Sequence, residues 1–247
     1  MEAFRGVLFD VDGVLLDTRT LRRKCHKAAL QAVCGVGDVS FGSDVPWGYG
    51  VKSQLTDLLK RHDCLSKSNL DEALSVWTRL YERYHAELAT PLPGIPELLK
   101  ELDRASFPFG VVTNRTADRL ELAFRRLPAL DQAACALSVD DVGAGKPHPE
   151  AITLGLHMME LDASAVLFAG DTSADAAAAG SAGVRFILCS NRITKANAQK
   201  MKFLIGCVGK ASDVSDAIRH FIFGQPSPRS LMLFDWKRND SGGSANR

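Results

Sequence analysis

A short apolar run, Gly6 to Phe9, leads directly into Asp10-Val11-Asp12-Gly13-Val14, two carboxylates separated by one residue and followed by a glycine. Side chains alternate along a strand, but a turn after Asp10 brings both acids towards one ligand, and Gly13 lets the chain make that turn. A free aspartate titrates at about 3.9, so Asp10 is ionised at neutral pH and needs no helper base to act as a nucleophile. Asp12 can then give a proton to a leaving oxygen and later take one from water. Taken alone, the pair reads equally well as two polar residues closing a strand.

Three further segments have a place in the same chemistry. A carboxylate attacking a phosphate dianion meets like-charge repulsion of about 4 kcal/mol per unit pair at roughly 4 Å and an effective dielectric of about 20, so cations are required. Gly170-Asp171-Thr172-Ser173-Ala174-Asp175 follows the apolar Ala165 to Ala169 and offers two carboxylates at a loop and a helix start. With Asp10 and a backbone carbonyl they make an oxygen-rich set suited to Mg²⁺. Aspartates also cap helices, and that reading stands beside the metal reading. The second cation is Lys146 in Gly145-Lys146-Pro147-His148-Pro149-Glu150, and Thr113-Asn114 offers a hydroxyl, an amide and backbone N–H groups to phosphate oxygens.

The elements that must position these residues show in the apolar pattern. Runs at Gly6 to Phe9, Phe109 to Val112, Ala133 to Val139, Ala165 to Ala169 and Val184 to Cys189 read as buried strands, with helical spacing between most of them. Strands alternating with helices predict an α/β fold, a Rossmann-like, mostly parallel sheet with helices on both faces, whose ligands bind at the carboxyl ends of the strands. The long gap between the first strand and the next holds only helical spacing: Leu21, Cys25, Ala28 and Ala32, then Leu55, Leu58 and Leu59, then Leu70 to Leu88. It predicts an inserted all-helical domain over residues 17–92, with the core in residues 1–16 and 93–224 and hinges at Asp17 and at the Pro91, Pro93, Gly94 turn. Residues 42–50 read as a loop inside the insert, and residues 225–247 as a loosely ordered tail with a brief apolar patch from Leu231 to Trp236.

Composition narrows the partners. With 247 residues and 46% hydrophobic, the chain can fill a core plus a smaller insert. Lys and Arg number 30 against 29 Asp and Glu, a net charge of +1, so no broad cationic field exists for nucleic acid or anionic lipid. Six dispersed cysteines show neither CxxC pairing nor zinc-ligand spacing, which reads as reduced thiols in a cytoplasmic protein. No signal-length or membrane-spanning apolar segment is evident.

In order and spacing, DVDGV at 10–14, TN at 113–114, GKPHPE at 145–150 and GDTSAD at 170–175 resemble the four motifs of the haloacid dehalogenase superfamily, over about Phe4 to Phe223. The resemblance implies a phosphohydrolase with Mg²⁺ as cofactor and a small phosphorylated metabolite as substrate. It makes Asp10 the nucleophile, Asp12 the general acid/base and a metal ligand through its carbonyl, Thr113, Asn114 and Lys146 the phosphate holders, Asp171 a metal ligand and Asp175 an outer-shell one. The helical insert resembles that family's cap, which closes over the site and selects substrates. Dehalogenases of the superfamily lack an acid two residues after the nucleophile, so Asp12 favours phosphate chemistry. Gly50-Val51-Lys52-Ser53-Gln54-Leu55 resembles the cap loop of β-phosphoglucomutase-like enzymes, with Lys52 as a substrate contact, so a phosphosugar mutase is the alternative enzyme. A non-catalytic binding protein on the same fold is the alternative of another class.

Overall fold

The structure, a computed structural model, describes residues 3–36, 49–190 and 195–234. Its first strand, β1 (Gly6–Phe9), is buried at every position, and alternate side chains feed two different cores. Val7 and Phe9 face a cluster with Leu98, Leu102, Ala217 and Ile218, while Leu8 faces one with Ile152, Leu156 and Ala179. A strand buried on both faces has no polar positions to alternate with, which is why it reads in the sequence as an unbroken apolar run.

From β1 the chain passes a two-residue strand β2 (Leu16–Asp17) and enters helices α1 (Arg19–Cys34), α2 (Val51–Arg61) and α3 (Lys67–Leu88). It returns through β3 (Thr90–Pro91), which pairs antiparallel with β2, so the outgoing and incoming chains run side by side as a narrow ribbon. The three helices bury their own apolar cluster, including Leu21, Leu30, Leu55, Leu59, Trp77 and Tyr81. Much of the loop expected over residues 42–50 lies outside the described residues; only Tyr49 and Gly50 fall within them.

The remainder alternates: α4 (Ile95–Arg104), β4 (Phe109–Val112), α5 (Ala117–Arg126), β5 (Cys135–Leu137), α6 (Glu150–Met158), β6 (Val166–Gly170), α7 (Ser173–Ala182), β7 (Arg185–Leu188), α8 (Lys195–Ala198), β8 (Leu204–Val208), α9 (Val214–Phe223) and β9 (Leu231–Leu233). The strands form one sheet in the order β5-β4-β1-β6-β7-β8-β9, parallel except for the last pair. The fold is α/β with helices on both faces, as the sequence predicts. β1 lies between β4 and β6, so the connections leave to opposite sides there, and that switch point opens a crevice at the carboxyl ends.

Two strands of the seven-stranded sheet escape the sequence reading, as do the short β2 and β3. β8 is a five-residue buried run interrupted by Gly206. β9 lies within the segment expected to be a loosely ordered tail, and over these three residues the structure differs: Leu231, Met232 and Leu233 pair with Val208, Cys207 and Gly206. The physical reason is local, because a Cβ built at Gly206 would meet Leu231 Cδ1 and the Phe221 ring at 3.1 Å each, so the glycine admits both apolar groups against the sheet. The rest of the apolar patch, Asp235 and Trp236, and the polar end at 240–247 lie outside the described residues.

Candidate active site

The carboxyl ends of β1, β4 and β6 bring the separate segments to one place. Asp10 follows β1 directly and is 6% exposed, its N–H donating to the Ala169 carbonyl of β6. Gly13 takes φ 79°, and a Cβ built there would meet Asp171 Oδ2 at 2.4 Å. The turn therefore needs glycine twice over, for its left-handed backbone and for the carboxylate packed against it.

Carboxylate oxygens of Asp10, Asp171 and Asp175 all lie within 4.8 Å of one another. Lys146, 4% exposed, reaches into this cluster. Its ammonium donates to Asp10 Oδ1 at 2.8 Å and to the Val112 carbonyl at 3.0 Å, and it ion-pairs with Asp175 Oδ1 at 2.5 Å. Burial opposes the charge, yet Asp10 and Asp175 raise the lysine pKa above its ordinary value. Burial pushes the Asp10 carboxyl up to about 6, with Lys146 pulling it down and Asp175 and Asp12 adding to the rise. Asp171 is raised well above the usual range by burial and by the charges of Asp10 and Asp175. Three crowded carboxylates against one ammonium leave an excess of negative charge on hard oxygen donors, the chemistry that suits Mg²⁺.

Asp175 caps a helix and also belongs to the carboxylate cluster. Its Oδ2 accepts from the Thr172 hydroxyl at 2.5 Å and the Thr172 N–H at 3.0 Å, a capping box that starts α7. Its Oδ1 faces Lys146.

Asp12 sits in a different environment two residues from Asp10. Arg115 grips it with two parallel hydrogen bonds, Nε to Oδ2 at 3.0 Å and Nη2 to Oδ1 at 2.9 Å, and the Thr18 hydroxyl donates to Oδ1. Burial alone would raise this carboxyl, but the Arg115 charge and hydrogen bonds hold it far below the usual carboxylate range. Arg115 is 4% exposed, and its Nη1 is tied to the Arg119 carbonyl at 3.0 Å. Sequence reasoning stopped at Thr113-Asn114 and missed the arginine next to it. The available signal was a charge adjoining a strand end that the fold was bound to bury.

The other expected residues divide. Thr113 is 2% exposed and its hydroxyl accepts from the Arg115 N–H at 3.3 Å. Asn114 lines the cleft, but its amide is engaged with the lysine loop, donating to the Lys146 carbonyl at 2.7 Å and accepting from the Lys146 N–H at 2.8 Å. It positions Lys146 in this structure. Lys52 is exposed on α2, and the cleft is lined instead by its neighbours Gly50, Val51 and Gln54. Of the basic run at 22–24, Arg22 lines the cleft while Arg23 and Lys24 are exposed. Glu150 braces the lysine loop, accepting the N–H groups of Gly143 and Ala144 at 3.0 and 3.1 Å, and His148 beside it is exposed.

Helix α3 closes the cleft from above with Trp77 and Tyr81, and α5 contributes Arg119. The enclosed space, including its open mouth, is about 520 Å³. Among the described residues no helix is long and apolar enough to cross a membrane, and the six cysteines are unpaired.

The sequence profile of haloacid dehalogenase-like hydrolases matches residues 7–189. An N-acetylmuramic acid 6-phosphate phosphatase of Pseudomonas aeruginosa is 30% identical over 191 residues, 73% of this chain and 79% of that protein. A phosphoglycolate phosphatase of Escherichia coli K12 is 26% identical over 200 residues, 74% of this chain and 79% of its own length. Among solved structures, a hydrolase from Pseudomonas syringae superposes with a TM-score of 0.71 at 19% identity, over 87% of this chain and 98% of that one.

Proposed function

From the premise that the chain belongs to the haloacid dehalogenase-like hydrolases and is a phosphatase of small phosphorylated molecules, we propose that it works through an aspartyl-phosphate on Asp10 with Mg²⁺ as cofactor. The observation that carries this reading is the convergence at the sheet's edge: Lys146 Nζ is 2.8 Å from Asp10 Oδ1 and 2.5 Å from Asp175 Oδ1, beside the carboxylate of Asp171.

Asp10 attacks phosphorus in line, forming the Oδ–P bond as the bond to the leaving oxygen breaks. Asp12 protonates that oxygen. Water then attacks the acyl phosphate, giving its proton back to Asp12 and releasing inorganic phosphate and free Asp10. The Asp10, Asp171 and Asp175 carboxylates, with the Asp12 carbonyl, would hold Mg²⁺, which when bound supplies positive charge against the repulsion between carboxylate and phosphoryl dianion. Lys146 holds a phosphoryl oxygen and is itself positioned by Asn114. Gripped as it is by Arg115 and Thr18, Asp12 is ionised here, so before it can donate it must leave these partners and take up a proton from solvent. The phosphosugar mutase alternative leaned on Lys52, which here is exposed and away from the cleft lining.

The test is phosphate release from p-nitrophenyl phosphate with and without Mg²⁺. We expect release that depends on Mg²⁺ and is lost in Asp10→Asn, with the acyl phosphate trapped on Asp10 in rapidly quenched wild type. Undiminished turnover by Asp10→Asn would remove Asp10 from the nucleophile's role.

A further inference from the structure

The fold treats the cysteines unequally. Cys25, Cys135, Cys189 and Cys207 are buried, whereas Cys34 and Cys64 are only half-buried and within reach of solutes. Those two, distant in the chain, meet. Cys34 is the last residue of α1 and Cys64 lies in the connection between α2 and α3, and their thiols share a hydrogen bond. Both side chains pack against the apolar cluster of the three helices.

Each thiol stands on a fixed stretch of backbone. Gly35, left-handed at φ 66°, ends α1 directly after Cys34 and donates its N–H to the Gln31 carbonyl at 3.2 Å. The Cys64 N–H donates to the Leu59 carbonyl at 2.9 Å, and the Cys64 carbonyl accepts from Asn69 Nδ2 at 2.8 Å. Cys64 Sγ donates to the His62 carbonyl at 3.1 Å. A thiol has one proton, so Cys34 is the donor of the shared bond and the Cys64 sulfur its acceptor. Burial and the Cys64 thiol push the Cys34 thiol up to about 12. Cys34 therefore keeps its proton, and Cys64, supported by the Cys34 S–H, is the sulfur that attacks first.

The helices that carry the pair also carry part of the cleft wall. Nearer their first turns α1 and α2 meet through Arg22, whose Nη2 donates to Gln54 Oε1 at 3.2 Å. Cys34 lies about 18 Å further along α1 than Arg22, well away from the reacting acids. A covalent link there closes a loop of about 30 residues that includes Val51 and Gln54 of the cleft lining.

We propose that Cys34 and Cys64 form a reversible redox site, oxidised by low-molecular-weight disulfides to an intramolecular disulfide that staples α1 to the α2–α3 connection. The Cys64 thiolate, its proton released to solvent, attacks one sulfur of the oxidant, forming a mixed disulfide and expelling one thiolate. Cys34 then loses its proton and attacks Cys64 Sγ, closing the bridge and expelling the second thiolate. Two cysteine thiols are oxidised, one disulfide is reduced to two thiols, and the two protons end on those products. The inference stands apart from the phosphatase reading, since none of the acids at the sheet's edge takes part.

The test treats the full wild-type chain with oxidised glutathione, unfolds it in iodoacetamide to block the remaining thiols, and maps disulfides by mass spectrometry after proteolysis. We expect one intramolecular link, Cys34 to Cys64, reversed by dithiothreitol, with the other four cysteines alkylated. In Cys34→Ser the reaction stops at a glutathione adduct on Cys64. Closing a loop of this length is expected to raise Tm by roughly 5 °C or more over the reduced protein, a rise absent in Cys34→Ser and Cys64→Ser treated alike. Glutathione that stays attached to Cys34 or Cys64 in wild type would mean that the two sulfurs cannot close a bridge, and overturns the proposal. A link between other cysteines, or no oxidation at all, overturns it equally. A Cys34–Cys64 link with Tm unchanged or lowered overturns the stapling role.

Discussion

Asp10 and Asp12 are the same residue type two positions apart, and the fold gives them opposite proton affinities. Burial with too little compensating charge pushes Asp10 up to about 6, whereas Arg115 holds Asp12 far down. A metal ion binds the ionised carboxylate, so below about pH 6 it must displace a proton from Asp10, and a further one from Asp171, which is also raised. The sign follows directly. Apparent Mg²⁺ affinity is expected to fall as pH drops below about 6, by roughly tenfold per unit for each proton displaced, and to level off above the carboxyls' titration range. Calorimetric titration of Mg²⁺ into wild type from about pH 5 upwards checks this. A flat profile would mean that these carboxyls do not share the ion.

At the scale of elements, the site depends on how β1 ends and how α7 begins. Gly13 takes φ 79° and leaves the space that the Asp171 carboxylate fills, while the Thr172–Asp175 capping box fixes the first turn of α7 beneath it. Gly13→Ala adds a methyl where Asp171 Oδ2 stands 2.4 Å away, on a backbone conformation that alanine resists. We expect a loss of about 1–3 kcal/mol in stability from the strained backbone. We also expect Mg²⁺ affinity at least about tenfold weaker as Asp171 is displaced. Thermal melts and Mg²⁺ titration of the variant separate the two effects, and unchanged Mg²⁺ affinity would show that Asp171 is not a ligand.

For the molecule as a whole, the question is whether residues 17–92 behave as a cap distinct from the sheet core. Helices α1 to α3 bury their own apolar cluster and join the sheet through the β2–β3 ribbon, while Trp77 and Tyr81 on α3 also form the cleft wall. Trp77 is 2% exposed at the centre of this cluster, and removing its ring in Trp77→Ala is expected to cost about 3–5 kcal/mol. If the cap is a separate cooperative unit, hydrogen exchange accelerates across α1, α2 and α3 while β1 and β6 keep their protection. Equal acceleration in the strands would instead define one cooperative unit.

Sequence alone determined the α/β class and the segments that meet at the site, because buried parallel strands must be written as apolar runs and the reactive acids follow them directly. Asp10, Asp171 and Asp175 were legible as candidates for that reason, and Lys146 by its place between a glycine and a proline. Tertiary structure alone decided what depends on neighbours distant in the chain. Arg115 neutralises Asp12 across 103 residues, the Asn114 amide is engaged by the lysine loop, Lys52 faces solvent, and Leu231 packs closely over Gly206. A residue's type fixes which bonds it can make, but which partner stands within about 3 Å of it is set by packing, and no local pattern encodes that.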